Sequence, residues 1–215
     1  MDTLADQNVR QGALVVLDNK SGDVLAYVSY SAEPDVGTYV DGVRALRQTG
    51  STLKPFLYAA AIDRRILTAA ALLDDSPLDI VFSSGIYQPG NYDSTFRGPV
   101  SVRVALASSL NVPAVKTLTL VGSESFLTVL RKLGISSLTE SGDYYGLSLA
   151  LGSADMSLWE LTNAYRALAN EGLWSKVRLT HDSQENAIPA QKVFSEETSF
   201  IVSDILADRD ARSET

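Results

Sequence analysis

One segment limits the fold more than any other. Residues 53–62, "LKPFLYAAAI", carry a single charged side chain, Lys54. Apolar residues at 53, 56, 57, 60 and 61 fall on one helical stripe, and three consecutive alanines let neighbouring elements approach closely. The pattern predicts a central, largely buried helix beginning at Ser51. Pro55 falls in its first turn, where proline is tolerated but crowds the carbonyl four residues back, that of Ser51. Such a helix needs a core around it. With 215 residues, 45% hydrophobic and 20% charged, the chain is one large domain or most of one.

The rest of the sequence predicts an α+β fold, mostly helical after one early β-hairpin. "GALVVLDNKSGDVLAYVSY" holds two apolar, β-branched runs, Gly12 to Asp18 and Asp23 to Tyr30, around a turn at Asn19-Lys20-Ser21-Gly22. Residues 31–50 are turn-rich loop. Residues 72–100, rich in Pro, Gly, Asp and Ser, read as loop with a brief strand-like "LDIVF". Beyond them come helical patterns. They are "VSVRVALASSL"; "VPAVKTLTLV", with Pro113 near its first turn; "SESFLTVLRKLG", from a Ser123 cap to Gly134; "SLWELTNAYRALANEG", opened by Ser157 and Glu160 at capping-box spacing; and "SEETSFIVSDILADRD", opened by Ser195. A lone hairpin makes a marginal sheet. Either the helices cover it, or strands of the same sheet lie beyond Thr215. Residues 1–11 read as a polar lead-in that begins partway through a longer protein, with no signal-peptide pattern.

Composition removes several classes of function. A net charge of −8 argues against nucleic acid, whose phosphates need clustered Lys and Arg. The absence of cysteine excludes disulfides, thiolate chemistry and Cys-based zinc sites. The one histidine, His181, lies in the polar run "THDSQENAIPAQ" and reads as a solvated loop residue. It can build neither a multi-histidine metal site nor a convincing Ser-His-Asp triad. No apolar run of ~18 residues is present to span a membrane. Any serine nucleophile here needs a base other than histidine.

Ser51 and Lys54 meet that need. Three residues apart at a helix start, they lie on one face. A lysine serves as base when burial and the positive helix end lower its pKa, and one of the free N–H groups of the first turn can stabilise an oxyanion. The competing reading makes them an ordinary helix cap and a solvated side chain. Ser109-Leu110-Asn111 puts a hydroxyl and a carboxamide between two helices. There they can share a cleft and relay a proton or fix a peptide, or Asn111 can merely cap the helix containing Pro113.

S-x-x-K with an S-x-N element is a pairing found in penicillin-binding proteins and class A β-lactamases. The longer runs "GSTLKPFLYAAAID", "NYDSTFRGPVSVRVALASSLNVPAV" and "YGLSLALGSADMSLWELTNAYRALANEG" are far more specific. On them the chain resembles, from about Gly12 to about Asp208, the transpeptidase domain of bifunctional (class A) penicillin-binding proteins. The resemblance implies a penicillin-binding/β-lactamase-like serine transpeptidase fold and a peptidoglycan D,D-transpeptidase. In that reading Ser51 attacks the D-Ala-D-Ala carbonyl of a stem peptide and Lys54 is its general base. Ser109 passes the proton to the leaving nitrogen, and Asn111 binds the substrate backbone. Stem peptides and β-lactam antibiotics are the implied partners, with no metal or organic cofactor. The implied location is the periplasmic side of the bacterial inner membrane. Nearby alternatives are a D,D-carboxypeptidase or β-lactamase-like hydrolase, and a non-catalytic module that binds peptide or a partner.

The family's third element, K-[ST]-G, departs from the expected place. The one such triplet, Lys20-Ser21-Gly22, precedes Ser51 and sits at the hairpin tip, where its glycine is turn chemistry. The expectation is therefore a partial transpeptidase domain over residues 12–215, ending before the strand that carries the true element. These 215 residues alone should react poorly with β-lactams; strong Ser51-dependent labelling by a fluorescent penicillin contradicts this. The same reading leaves a hairpin edge open to pairing with a second copy. A sharp monomer peak in size-exclusion chromatography, with cooperative melting, counts against that association.

Overall fold

A computed structural model of the chain describes residue 9 and residues 11–31, 40–82, 85–179 and 189–213. His181 and most of the lead-in lie outside the described residues. The hairpin forms where expected: β1 (Gln11–Leu17) pairs antiparallel with β2 (Val24–Ser31), with an irregularity at Val16/Leu17. At its tip the Ser21 N–H donates to Asp18 Oδ1 (2.7 Å) and the Gly22 N–H to the Asp18 carbonyl (2.9 Å). Gly22 has φ +76°, so Lys20-Ser21-Gly22 is a turn held by its own hydrogen bonds.

The strand content beyond the hairpin exceeds the sequence reading. β3 (Arg47–Gln48) lies in the supposed loop and pairs with β8 (Asp155–Met156). Residues 72–100 are not simply loop. They hold β4 (Leu72–Asp75) paired with β7 (Gly98–Ser101), and β5 (Ile80–Phe82) paired with β6 (Gly85–Tyr87). β9 (Leu173–Trp174) pairs with β10 (Gln191–Lys192). Each of these strands is two to four residues long, too short for an alternating pattern to stand out from turn composition.

The predicted central helix is present as α1 (Lys54–Asp63), and every residue from Lys54 to Ile62 is buried. It is enclosed on all sides rather than along one stripe. Around it pack α2 (Val102–Ala107), α3 (Asn111–Val121), α4 (Ser123–Lys132) and α7 (Glu196–Ala207). Phe56, Leu57, Leu118, Phe126, Leu130 and Val202 belong to one continuous core. The short α5 (Gly142–Tyr145) packs on α4, and α8 (Asp210–Ser213) comes after α7.

Most caps agree with the sequence. Ser157 opens α6 (Leu158–Ala169) with a complete capping box to Glu160, and the Ser195 hydroxyl accepts the Thr198 N–H at α7. The Ser123 cap is corrected: Gly122 is the N-cap and Ser123 the first helical residue. Gly122, at φ +84°, turns the chain within one residue between α3 and α4, a conformation a serine adopts only at a cost.

Helix cover for the hairpin is partial. α6 lies against β1, and Trp159 on that helix packs beside Tyr27 on β2 (centroids 6.0 Å) and beneath Arg44 (4.0 Å). The buried Arg166, also on α6, donates to the Asn19 carbonyl at the tip and to Ser175. Leu14, Leu25, Val28 and Tyr30 remain exposed, and among the described residues β1 pairs with β2 alone.

Candidate active site

The backbone at Ser51 is set by its downstream neighbours and by the loop that faces it. Pro55 has no N–H to offer the Ser51 carbonyl, so that carbonyl is bonded by the Lys54 N–H three residues on. Residues Gly50–Leu53 therefore form a 3-10 turn leading into α1. Gly50 enters it at φ +56°, its N–H donating to the Gly152 carbonyl (3.1 Å). Gly152 is itself left-handed (φ +74°), and a Cβ there would lie 2.0 Å from the Gly50 carbonyl oxygen. Tyr165 on α6 donates its hydroxyl to the Thr52 carbonyl (2.7 Å) and meets Phe56 edge-on. Burial raises the Tyr165 pKa to about 12, so it stays a donor at neutral pH. Ser51 itself is exposed at the surface of this turn.

One turn below, the solvated reading of Lys54 fails. Lys54 is 1% exposed. Its amine donates to the Ser109 carbonyl (2.6 Å), to Asn111 Oδ1 (2.7 Å) and to Ser109 Oγ (3.2 Å). Burial away from water lowers its pKa from 10.5 to about 8. The structure thus joins three of the four sequence-selected residues directly, across 55 and 57 positions of chain. No hydrogen bond links Lys54 to Ser51 side chain to side chain; their relation is one of adjacent backbone on the same first turns.

The Ser109–Asn111 turn has a definite shape. Ser109 connects α2 to α3 at φ +55°, an uncommon region for a residue with a side chain. Asn111 is not a cap. It is the first residue of α3, and its side chain bridges Lys54 on one side and the Gly90 carbonyl on the other (Nδ2 to O, 2.8 Å). The capping is done from a distance by Asn91, whose Oδ1 accepts the N–H of Asn111 (2.9 Å) and of Val112 (3.4 Å). Neither Asn91 nor its partner Asp75 stands out in the sequence, since no local spacing ties residue 91 to residue 111. Among the described residues no three His, Asp or Glu side chains converge as a metal site, and no helix is long and apolar enough to cross a membrane.

This geometry has relatives. The penicillin binding protein transpeptidase domain family matches residues 12–214. The chain belongs to that family. Penicillin-binding protein 1C of Escherichia coli is 36% identical over 198 residues, covering 91% of this chain and 25% of the relative. Penicillin-binding protein 1A of Pseudomonas aeruginosa is 34% identical over 165 residues, covering 75% and 19%. The chain thus spans a fifth to a quarter of the length of these relatives. Among solved structures, penicillin-binding protein 1A from Haemophilus influenzae superposes with a TM-score of 0.77 at 25% identity, over 92% of this chain and 34% of that one. The α+β fold is that of penicillin-binding transpeptidase domains.

The close approach of Gly152 to Gly50 yields a test. Gly152→Ala introduces a left-handed alanine whose methyl collides with backbone, and is expected to destabilise the chain by more than about 2 kcal/mol in urea unfolding. Parent-like stability would contradict the contact.

Proposed function

We propose that the chain is the acyl-transfer domain of a peptidoglycan D,D-transpeptidase working through a Ser51 acyl-enzyme. The observation that supports this best is the convergence of a water-excluded amine, a hydroxyl and a carboxamide, the amine three residues along the chain from an exposed serine. Charged Lys54 offers three N–H bonds, and three oxygens receive them. Neutral Lys54 keeps two N–H groups for the shorter contacts, to the Ser109 carbonyl and Asn111 Oδ1, and turns its lone pair toward the hydroxyls. In that state it takes the Ser51 proton as Oγ attacks the carbonyl of the penultimate D-Ala. A backbone N–H at the helix start contributes to stabilising the tetrahedral oxyanion. On collapse the C–N bond breaks, and the proton passes from Lys54 through Ser109 Oγ to the departing D-Ala nitrogen. An amine of a neighbouring stem then attacks the ester, re-forming an amide and returning the proton to Ser51. Asn111, held between Lys54 and Gly90, presents its amide to the substrate backbone. β-Lactams enter the same first step, their ring amide opening onto Ser51. The setting is the periplasmic face of the inner membrane, where the stem peptides lie.

The pKa of Lys54 sets the pH dependence. The base form accumulates as pH rises through about 8. In the complete natural protein, penicillin acylation should rise about tenfold per pH unit below that value and level off above it. Stopped-flow acylation across pH 5.5–9.5 checks this, with intact-mass detection of the adduct on the parent and its absence on Ser51→Ala. A flat profile, or an adduct that survives Ser51→Ala, would overturn the assignment.

A further inference from the structure

We propose that Asn91, anchored on Asp75, is a positioning residue that fixes the Ser109–Asn111 turn over the Lys54 amine. Asn91 is 7% exposed and Asp75 is fully buried. The Asn91 amide is used completely. Its Nδ2 donates to Asp75 Oδ1 and Oδ2 (2.8 and 2.9 Å) and to the Thr95 carbonyl (2.9 Å). Its Oδ1 accepts the first two N–H groups of α3, from Asn111 and Val112. Two donors and two lone pairs are thus matched by oxygens on one side and N–H groups on the other. The surroundings fix the orientation of the amide. Aspartate at 91 would lose both donors and set a second carboxyl group against Asp75; alanine or leucine would leave buried polar groups on both sides unpaired.

The neighbouring carbonyl completes the hold. Gly90 accepts Asn111 Nδ2, which forces Asn111 Oδ1 toward Lys54. Residues 90 and 91 therefore grip Asn111 by backbone and by side chain. Asp75 is rooted in β4, and it also accepts the Arg97 N–H (3.1 Å) beside the paired β7. The connection runs from a strand pair, through one amide, to a helix N-terminus and the covered amine. Because Lys54 owes its low pKa to burial, and the Ser109–Asn111 turn supplies three contacts to its amine, loosening that turn admits water.

Titration of Lys54 in the 215-residue chain tests this without substrate. With ¹³C-lysine labelling and Lys54→Arg to assign the signal, Asn91→Ala should move the Lys54 midpoint from about 8 toward the ordinary 10.5. Asp75→Asn, which keeps shape and one acceptor, should produce a smaller rise and carries the test if Asn91→Ala does not fold. Leu130→Ala, a cavity in the core, should leave the midpoint in place. Parent-like midpoints in both site variants, or an equal rise in Leu130→Ala, would overturn the proposal. The catalytic consequence rests on Lys54 being the base: in the complete protein Asn91→Ala should slow penicillin acylation at pH 7 about tenfold or more. If the titration moves as expected while the parent forms no Ser51 adduct, the positioning role stands and the catalytic reading falls.

Discussion

The structure turns on an amine kept from water. Lys54 lies in the first turn of a helix with no exposed face, and its ammonium group is matched by three oxygens of one turn rather than by a carboxylate. Neutral acceptors support the charge less than an anion would, so burial dominates and the pKa falls to about 8. The folded-state pKa thus lies below the unfolded one, so holding Lys54 charged opposes folding below about pH 8. That opposition fades as pH rises toward 10.5. The cost is about 3 kcal/mol. A fold retains such a cost where a neutral amine is useful.

Around that amine, the same few elements serve packing and chemistry together. Pro55 makes the turn at Ser51 a 3-10 turn by removing a donor. The Gly50–Gly152 approach and the Tyr165 hydroxyl fix it from outside. On the other side Ser109 adopts a left-handed backbone, its carbonyl aimed at Lys54. Strain at Ser109 and solvation loss at Lys54 are both local, and both are offset by the core that encloses α1.

Local signals in the sequence reach far. The apolar run after Lys54 reveals the central helix, and Ser157 with Glu160 marks α6, because each depends on residues within a turn or two. The hairpin likewise is legible from two β-branched runs about a glycine turn. The two-residue strand Arg47–Gln48 escapes, since its partner lies over 100 positions away and contributes only a pair of residues. At the site, Ser51, Lys54, Ser109 and Asn111 can be picked out by spacing and family likeness, yet Asn111 allows two roles. What decides between them is the Gly90–Asn91 pair, which supplies the helix cap and frees the Asn111 side chain for Lys54. No periodicity in a chain encodes a hydrogen bond between residues 20 positions apart, with a strand and a helix between them.

If Ser51 is the nucleophile proposed above, the Lys54 amine must stay beside it through the reaction. The most direct test is a high-resolution crystal structure of the complete natural protein after exposure to a β-lactam. Continuous density is expected from Ser51 Oγ to the opened ring, with Lys54 Nζ still on the Ser109 carbonyl and Asn111 Oδ1 and within hydrogen-bond reach of Ser51 Oγ. An adduct on another residue, or Lys54 turned out of the Ser109–Asn111 turn into solvent, would contradict it.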